Sequence, residues 1–212
     1  PVSTAKDSEM LVTQFDNSVV ESDGLLKMDF IGLTTLSIIN TAVKNVKKSR
    51  GIEIVVDEIP LDDQKTYQLF QRGDTAGTFQ FESVGMQKYL SQLKPEKCEE
   101  LIAMNALYPP GPMEYIPAFI NRKHGREPIK YDLAEMEEFL AETYGITVYQ
   151  EQVMLLSQQL AGFSKGDADV LRKAMGKKQK AVLDKMKDKL IKGCGDRGHA
   201  KDICEKIWTD WE

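Results

Sequence analysis

Asp29, in the run Leu26-Lys27-Met28-Asp29-Phe30, and the cations gathered between Lys165 and Lys192 are the residues of this sequence whose types and spacing point most directly to chemistry. Strand alternation puts Leu26, Met28 and Phe30 on one face and Lys27 with Asp29 on the other. A carboxylate two residues from a lysine on the face away from the core suits a metal–phosphate site, the carboxylate oxygens holding a divalent cation and the ammonium facing phosphate. A surface Lys/Asp alternation produces the same pattern without any ligand. In the second stretch ten Lys and Arg stand against four Asp, a local balance of +6 in a chain of net charge −5. Concentrated positive charge of this kind attracts phosphates by Coulomb forces and counterion release, whereas a merely solvated lysine-rich helix reads the same way on charge alone.

Within that stretch Arg172 and Lys173 are followed one turn later by Gly176, Lys177 and Lys178, so several donors surround one helix end. A phosphate-binding P-loop is excluded, because Leu171 stands where its first glycine belongs and Lys178 where Ser or Thr belongs. Ser164 is placed to cap the helix, with Asp167 and Asp169 in its first turns suiting the dipole. Those two aspartates point about 200° apart around a helix and cannot clasp one ion together, so they are structural. A second basic group, Arg122, Lys123 and Arg126 around His124, closes another predicted helix, where cations suit the C-terminal dipole as readily as a phosphate.

The elements that must position these groups are mainly helical. Apolar residues three and four apart, with Ser, Asp or Pro at starts and Gly at stops, predict helices over 36–47, 63–71, 84–93, 96–107, 113–123, 133–142, 151–163, 165–175, 178–192 and 199–211. The first thirty residues differ: LVTQF and LLKMDF alternate and are separated by a polar stretch ending in Asp23-Gly24, which predicts a β-hairpin or two neighbouring strands. Residues 52–56, 77–81, 128–131 and 146–148 are further extended candidates, too short and scattered for a major sheet. Tyr108-Pro109-Pro110-Gly111-Pro112 is a rigid turn between two helices.

With 212 residues and 42% hydrophobic content the chain can bury a sizeable core in one or two domains. It carries neither an apolar run of membrane-spanning length nor a signal-peptide pattern at Pro1–Met10, which leads us to expect a cytoplasmic setting and no membrane. Three widely spaced cysteines, Cys98, Cys194 and Cys204, read as reduced thiols. No CxxC or HxxxH spacing joins Cys194, His199 and Cys204 into a zinc site. A chain entering at Pro1 straight into strand-like sequence is expected to be an internal segment of something longer.

Taken in order, LLKMDFIGL, TFQFES, LIAMNALYPPGPM, FINRKHG, ETYGITVYQEQVM and QQLAGFSKGDADVLRKAMGKK, with the lysine-rich helix that follows, resemble the alpha subunits of bacterial DNA polymerase III, the C-family replicative polymerases. The resemblance runs over the whole chain. It implies a mainly α, multi-helix fingers region with short β elements over residues 34–212, preceded by a palm-edge strand pair over residues 1–33. It also implies DNA-directed nucleotidyl transfer with two Mg2+ ions, on primer-template DNA and deoxynucleoside triphosphates, alongside other subunits of a bacterial replicase.

By the same resemblance Asp29 matches a catalytic, metal-binding carboxylate. The family's Asp-x-Asp strand, its partner in holding the metals, is not in this chain, so the chain alone is expected to be inactive. Lys27, Arg172, Lys173, Lys177 and Lys178 take the incoming nucleotide, and Arg122, Lys123 and Arg126 take DNA. Two positions depart from the family pattern: Lys173 stands for a second Arg, keeping charge but losing the bidentate fork, and Pro109 stands for an Arg, removing a cation and a backbone donor. Two other readings compete, a stand-alone helical nucleic-acid-binding module and a helical scaffold whose lysine-rich face is only solvated.

Overall fold

A computed structural model describes residues 1–28 and 30–211, and the chain divides into two compact units, Pro1–Asp57 and Glu58–Glu212. In the first unit, strands β1 (Val2–Thr4) and β2 (Leu11–Thr13) pair antiparallel, with Ser3 opposite Val12. The hairpin thus pairs LVT with the chain's first residues and not with LLKMDF. Residues 25–28 and Phe30 adopt no regular structure, and Leu26 and Phe30 are 83% and 89% exposed. A strand needs a neighbour to accept its backbone groups, and among the described residues none lies beside this run; Asp29 itself lies outside them. Helix α1 (Thr34–Arg50) closes the unit, stopping at Gly51 in the left-handed conformation that glycine adopts at least cost. None of the described residues of this unit is buried.

The second unit carries the core. Its helices are α2 (Gln64–Arg72), α3 (Val84–Leu93), α4 (Cys98–Leu107), α5 (Ile116–Lys123), α6 (Glu137–Leu140), α7 (Gln150–Ala161), α8 (Lys165–Gly176), α9 (Lys180–Asp196) and α10 (Lys201–Trp211). Local chemistry sets several starts: Asp63 accepts from Thr66 N at 2.8 Å, Ser83 from Met86 N at 3.2 Å, and Ser164 from Asp167 N at 3.1 Å. The helix expected over 133–142 is shorter, with α6 flanked by 3-10 turns at Ala134–Met136 and Ala141–Thr143. Its last turn tightens because Tyr144 takes a left-handed φ of 54° and Thr143 Oγ1 donates to Ile146 O at 2.6 Å. None of the four further extended candidates is a strand among the described residues. No described helix is long and apolar enough to cross a membrane.

Two hydrophobic clusters form the interior. One gathers Met86, Leu90, Met104, Ile116 and Phe119 from α3, α4 and α5, and the other Leu156, Leu160, Leu171, Leu190 and Trp208 from α7 to α10. Cys194 and Cys204, both free thiols, are buried in the second cluster.

Helices α7 and α9 are in close contact at Gly193, where a Cβ would stand 2.1 Å from the carbonyl oxygen of Ala161. Gly193→Ala is therefore expected to destabilise the protein by about 1–3 kcal/mol, even though alanine is the better helix former by about 1 kcal/mol. Urea melts read by circular dichroism check this; unchanged stability would mean the two helices separate at no cost.

Candidate nucleotide and DNA interface

The cations expected at a phosphate fall at one break in the chain. Helix α8 starts from a reciprocal cap: Ser164 Oγ accepts from Asp167 N, while Asp167 Oδ2 accepts from Ser164 N at 3.0 Å. Asp167 also pairs with Lys189 of α9 at 2.6 Å. Those bonds, from Lys189 first and Ser164 next, hold its carboxyl down to about 2. Asp167 is thus a fastener between α8 and α9.

Two residues on, Asp169 Oδ1 accepts from Arg172 Nη2 at 2.7 Å and Nε at 3.1 Å, and Asp169 Oδ2 lies 3.0 Å from Lys173 Nζ. One carboxylate thereby fixes both cations on one side of the helix, and its own pKa is lowered by Arg172 and then Lys173. The spacing of three and four residues signals this pairing in the sequence. The lysine-rich helix expected to begin at Lys178 begins two residues later. Lys178 takes a left-handed φ of 49°, and Gln179 N donates to Ala174 O at 2.9 Å, so α8 ends and α9 restarts at Lys180. Lys177 and Lys178 are exposed at this junction and make no ion pair among the described residues.

The second basic group separates into three environments. Arg122 is largely covered, donating through Nε to Glu127 Oε1 at 2.8 Å and through Nη1 to Tyr144 O at 3.2 Å. The Lys123 side chain is only 6% exposed; its ammonium donates to Glu100 Oε2 and to Lys94 O, each at 2.7 Å. Glu100, 2% exposed, also accepts from Tyr144 Oη and from Glu96 N at 2.8 Å. Burial pushes the Glu100 carboxyl up, but the bonds from Lys123, Tyr144 and Glu96 outweigh it and hold it below its ordinary range. Burial, reinforced by the Glu100 carboxylate, in turn drives the Tyr144 phenol well upward. Arg126 is exposed, beside Lys94, Asn121 and His124 on an open hollow of about 660 Å³. The charge of Lys123 is thus used inside the fold, while Arg126 is open to solvent.

Lys27 is exposed in the first unit, and Asp29 lies outside the described residues. Among the described residues no three His, Cys, Asp or Glu side chains gather as a cation site.

Comparison with known proteins completes the description. A family profile described as bacterial DNA polymerase III alpha subunit finger domain matches residues 35–198. The whole chain aligns at 46% identity with the DNA polymerase III subunit alpha of Aquifex aeolicus, covering 18% of that protein. Against the proteins of the same name from Thermus aquaticus and Bacillus subtilis, 93% of the chain aligns at 46% and 44% identity, covering 17% and 18% of them. The chain therefore spans under a fifth of the length of these relatives. A profile match across most of the helical region, carrying the α8 junction with it, means that this chain belongs to the family of bacterial DNA polymerase III alpha subunit finger domains.

Proposed function

We propose that this chain is the palm edge (residues 1–33) and much of the fingers (residues 34–212) of a replicative DNA-directed DNA polymerase, and that the end of α8 grips the incoming deoxynucleoside triphosphate. The observation that carries this reading is the junction itself: Arg172 and Lys173 are pre-set on one carboxylate, and Lys177 and Lys178 stand free one turn beyond. Two turns of helix advance roughly 11 Å, a span comparable to a triphosphate. A break between helices, with exposed donors beside fixed ones, lets the phosphates meet several cations without unfolding a helix.

In this reading Arg126 is the exposed DNA contact of its group, with Arg122 beside it, and Lys123 serves DNA by fixing the end of α5. Asp29 supplies one carboxylate ligand to the two Mg2+ ions of the longer enzyme, whose other ligands come from outside this chain, and Lys27 faces the triphosphate. The longer enzyme works in the bacterial cytoplasm on primer-template DNA with other replicase subunits.

The test is Arg172→Ala in the longer polymerase. A charge-assisted contact to phosphate contributes roughly 1.5–3 kcal/mol, so apparent nucleotide affinity, or rate at low nucleotide, should fall about tenfold to hundredfold while DNA affinity holds. A solvated face predicts no change. Loss of DNA affinity with a shallower salt dependence would move Arg172 to the template instead.

A further inference from the structure

Beside the junction of α8 and α9 lies a hollow of about 420 Å³, within the range of about 300–1,000 Å³ typical of small-molecule pockets. Met175, Leu183, Trp208 and Trp211 line it with apolar surface, and Lys178 and Lys180, both exposed, border it. The two tryptophans are core side chains, 2% and 8% exposed, so they back the hollow and offer no open ring face for stacking. No Asp or Glu lines the hollow among the described residues, and neither lysine makes an ion pair among them.

A second observation marks the same place. Trp208 Nε1 is buried and has no hydrogen-bond partner among the described residues. A buried donor without an acceptor is costly, and native folds rarely leave one unpaired. Tyr149 Oη, the other such atom, belongs to a residue that packs against the cluster of α3, α4 and α5 and does not line this hollow.

We propose that the hollow binds a small amphipathic anion, with an apolar ring body against Met175 and Leu183, an acceptor oxygen on Trp208 Nε1, and a carboxylate between Lys178 and Lys180. Each part of such a ligand answers one feature of the walls. Two unpaired ammonium groups repel a cation, a bare inorganic anion leaves the apolar surface wet, and a plain hydrocarbon leaves both the lysines and the indole N–H without a partner. Lys178 is also one of the cations placed at the triphosphate, so a bound anion works against nucleotide; that consequence rests on the polymerase reading, whereas binding in the hollow does not.

Gly176 lines the hollow too, and a Cβ added there meets no neighbouring atom within 4 Å. A leucine at this position enters open space and fills the hollow without pressing on the helices around it.

The experiment uses the 212-residue chain, in which Trp208 and Trp211 are the two tryptophans. Its nitrogen–proton correlation spectrum therefore carries two indole N–H signals, assigned with Trp211→Phe. Titration with naphthoxyacetate, which joins a naphthalene ring, an ether oxygen and a carboxylate, should move the Trp208 signal downfield and saturate, as an N–H does on gaining an acceptor. Acetate, with the charge but no ring, and naphthylmethylamine, with the ring but the opposite charge, should leave it in place at the same concentrations. Gly176→Leu should abolish the shift while melting no lower than the parent, since leucine is the better helix former. Lys178→Gln with Lys180→Gln should weaken binding about fivefold, the scale of two exposed ion pairs. An unmoved Trp208 signal, equal shifts with acetate or the amine, a shift that survives Gly176→Leu in a folded protein, or unchanged affinity in the lysine variant would each overturn the site. A larger shift with thymidine triphosphate than with naphthoxyacetate would give the hollow to the nucleotide and overturn it as well. The polymerase reading stands or falls separately, on the nucleotide dependence of Arg172→Ala.

Discussion

Lys123→Met should destabilise the second unit by about 3–5 kcal/mol, because it removes the ammonium from a carboxylate that the fold has already taken out of water. Glu100 is 2% exposed and Lys123 6% exposed, and the pair joins α4 to the end of α5 while Tyr144 holds the other carboxylate oxygen. Methionine keeps most of the stem volume, so the loss is one of charge rather than packing. Adding Glu100→Gln should recover part of it, since an amide left in that pocket costs less than an unpaired carboxylate. Denaturant melts of the single and double variants decide the matter; a loss below about 1 kcal/mol would class the pair with exposed ion pairs.

The pH dependence fixes the sign. In the intact protein the folded Glu100 pKa lies below its ordinary value, so its contribution is present above about pH 4.3 and is lost as pH falls through the folded pKa. In Lys123→Met the same carboxyl, buried without its partner, is raised, and the variant gains stability as acid protonates it. The gap between the two proteins should therefore be widest near neutrality and close toward pH 4. A gap that stays constant over that range would assign the loss to packing.

Helix positions were largely legible because their signals are local: Asp63, Ser83 and Ser164 cap where their spacing puts them, and Gly51, Gly73 and Gly162 stop helices in left-handed conformations. The strand expected over LLKMDF was not, among its described residues, since alternation shows which face a strand would bury but not whether a neighbour is there to pair with. Lys123 shows the same limit in side chains. A lysine at a helix end reads alike whether it reaches water or a glutamate 23 positions away, and only packing distinguishes them. The break between helices 165–175 and 178–192 was legible, but the restart at Lys180 was not, because a lysine at the left-handed Lys178 carries none of the glycine signal that normally marks a stop.

The largest effect belongs to Asp29. In the proposed function it is one of the few carboxylates that hold the divalent ions of nucleotidyl transfer, and Asp29→Asn keeps its size while removing its charge. Removing one ligand charge weakens ion binding and lowers the reaction rate together, and with Leu26, Met28 and Phe30 exposed in this segment the fold has little to lose. The longer polymerase carrying Asp29→Asn should therefore melt at the same temperature, bind primer-template DNA as before and bind Mg2+ more weakly by calorimetry. The direct measurement is single-turnover primer extension at saturating nucleotide: the account predicts a fall of several orders of magnitude in the rate of bond formation, and near-normal extension would contradict it, leaving this chain a scaffold beside the chemistry and not a part of it.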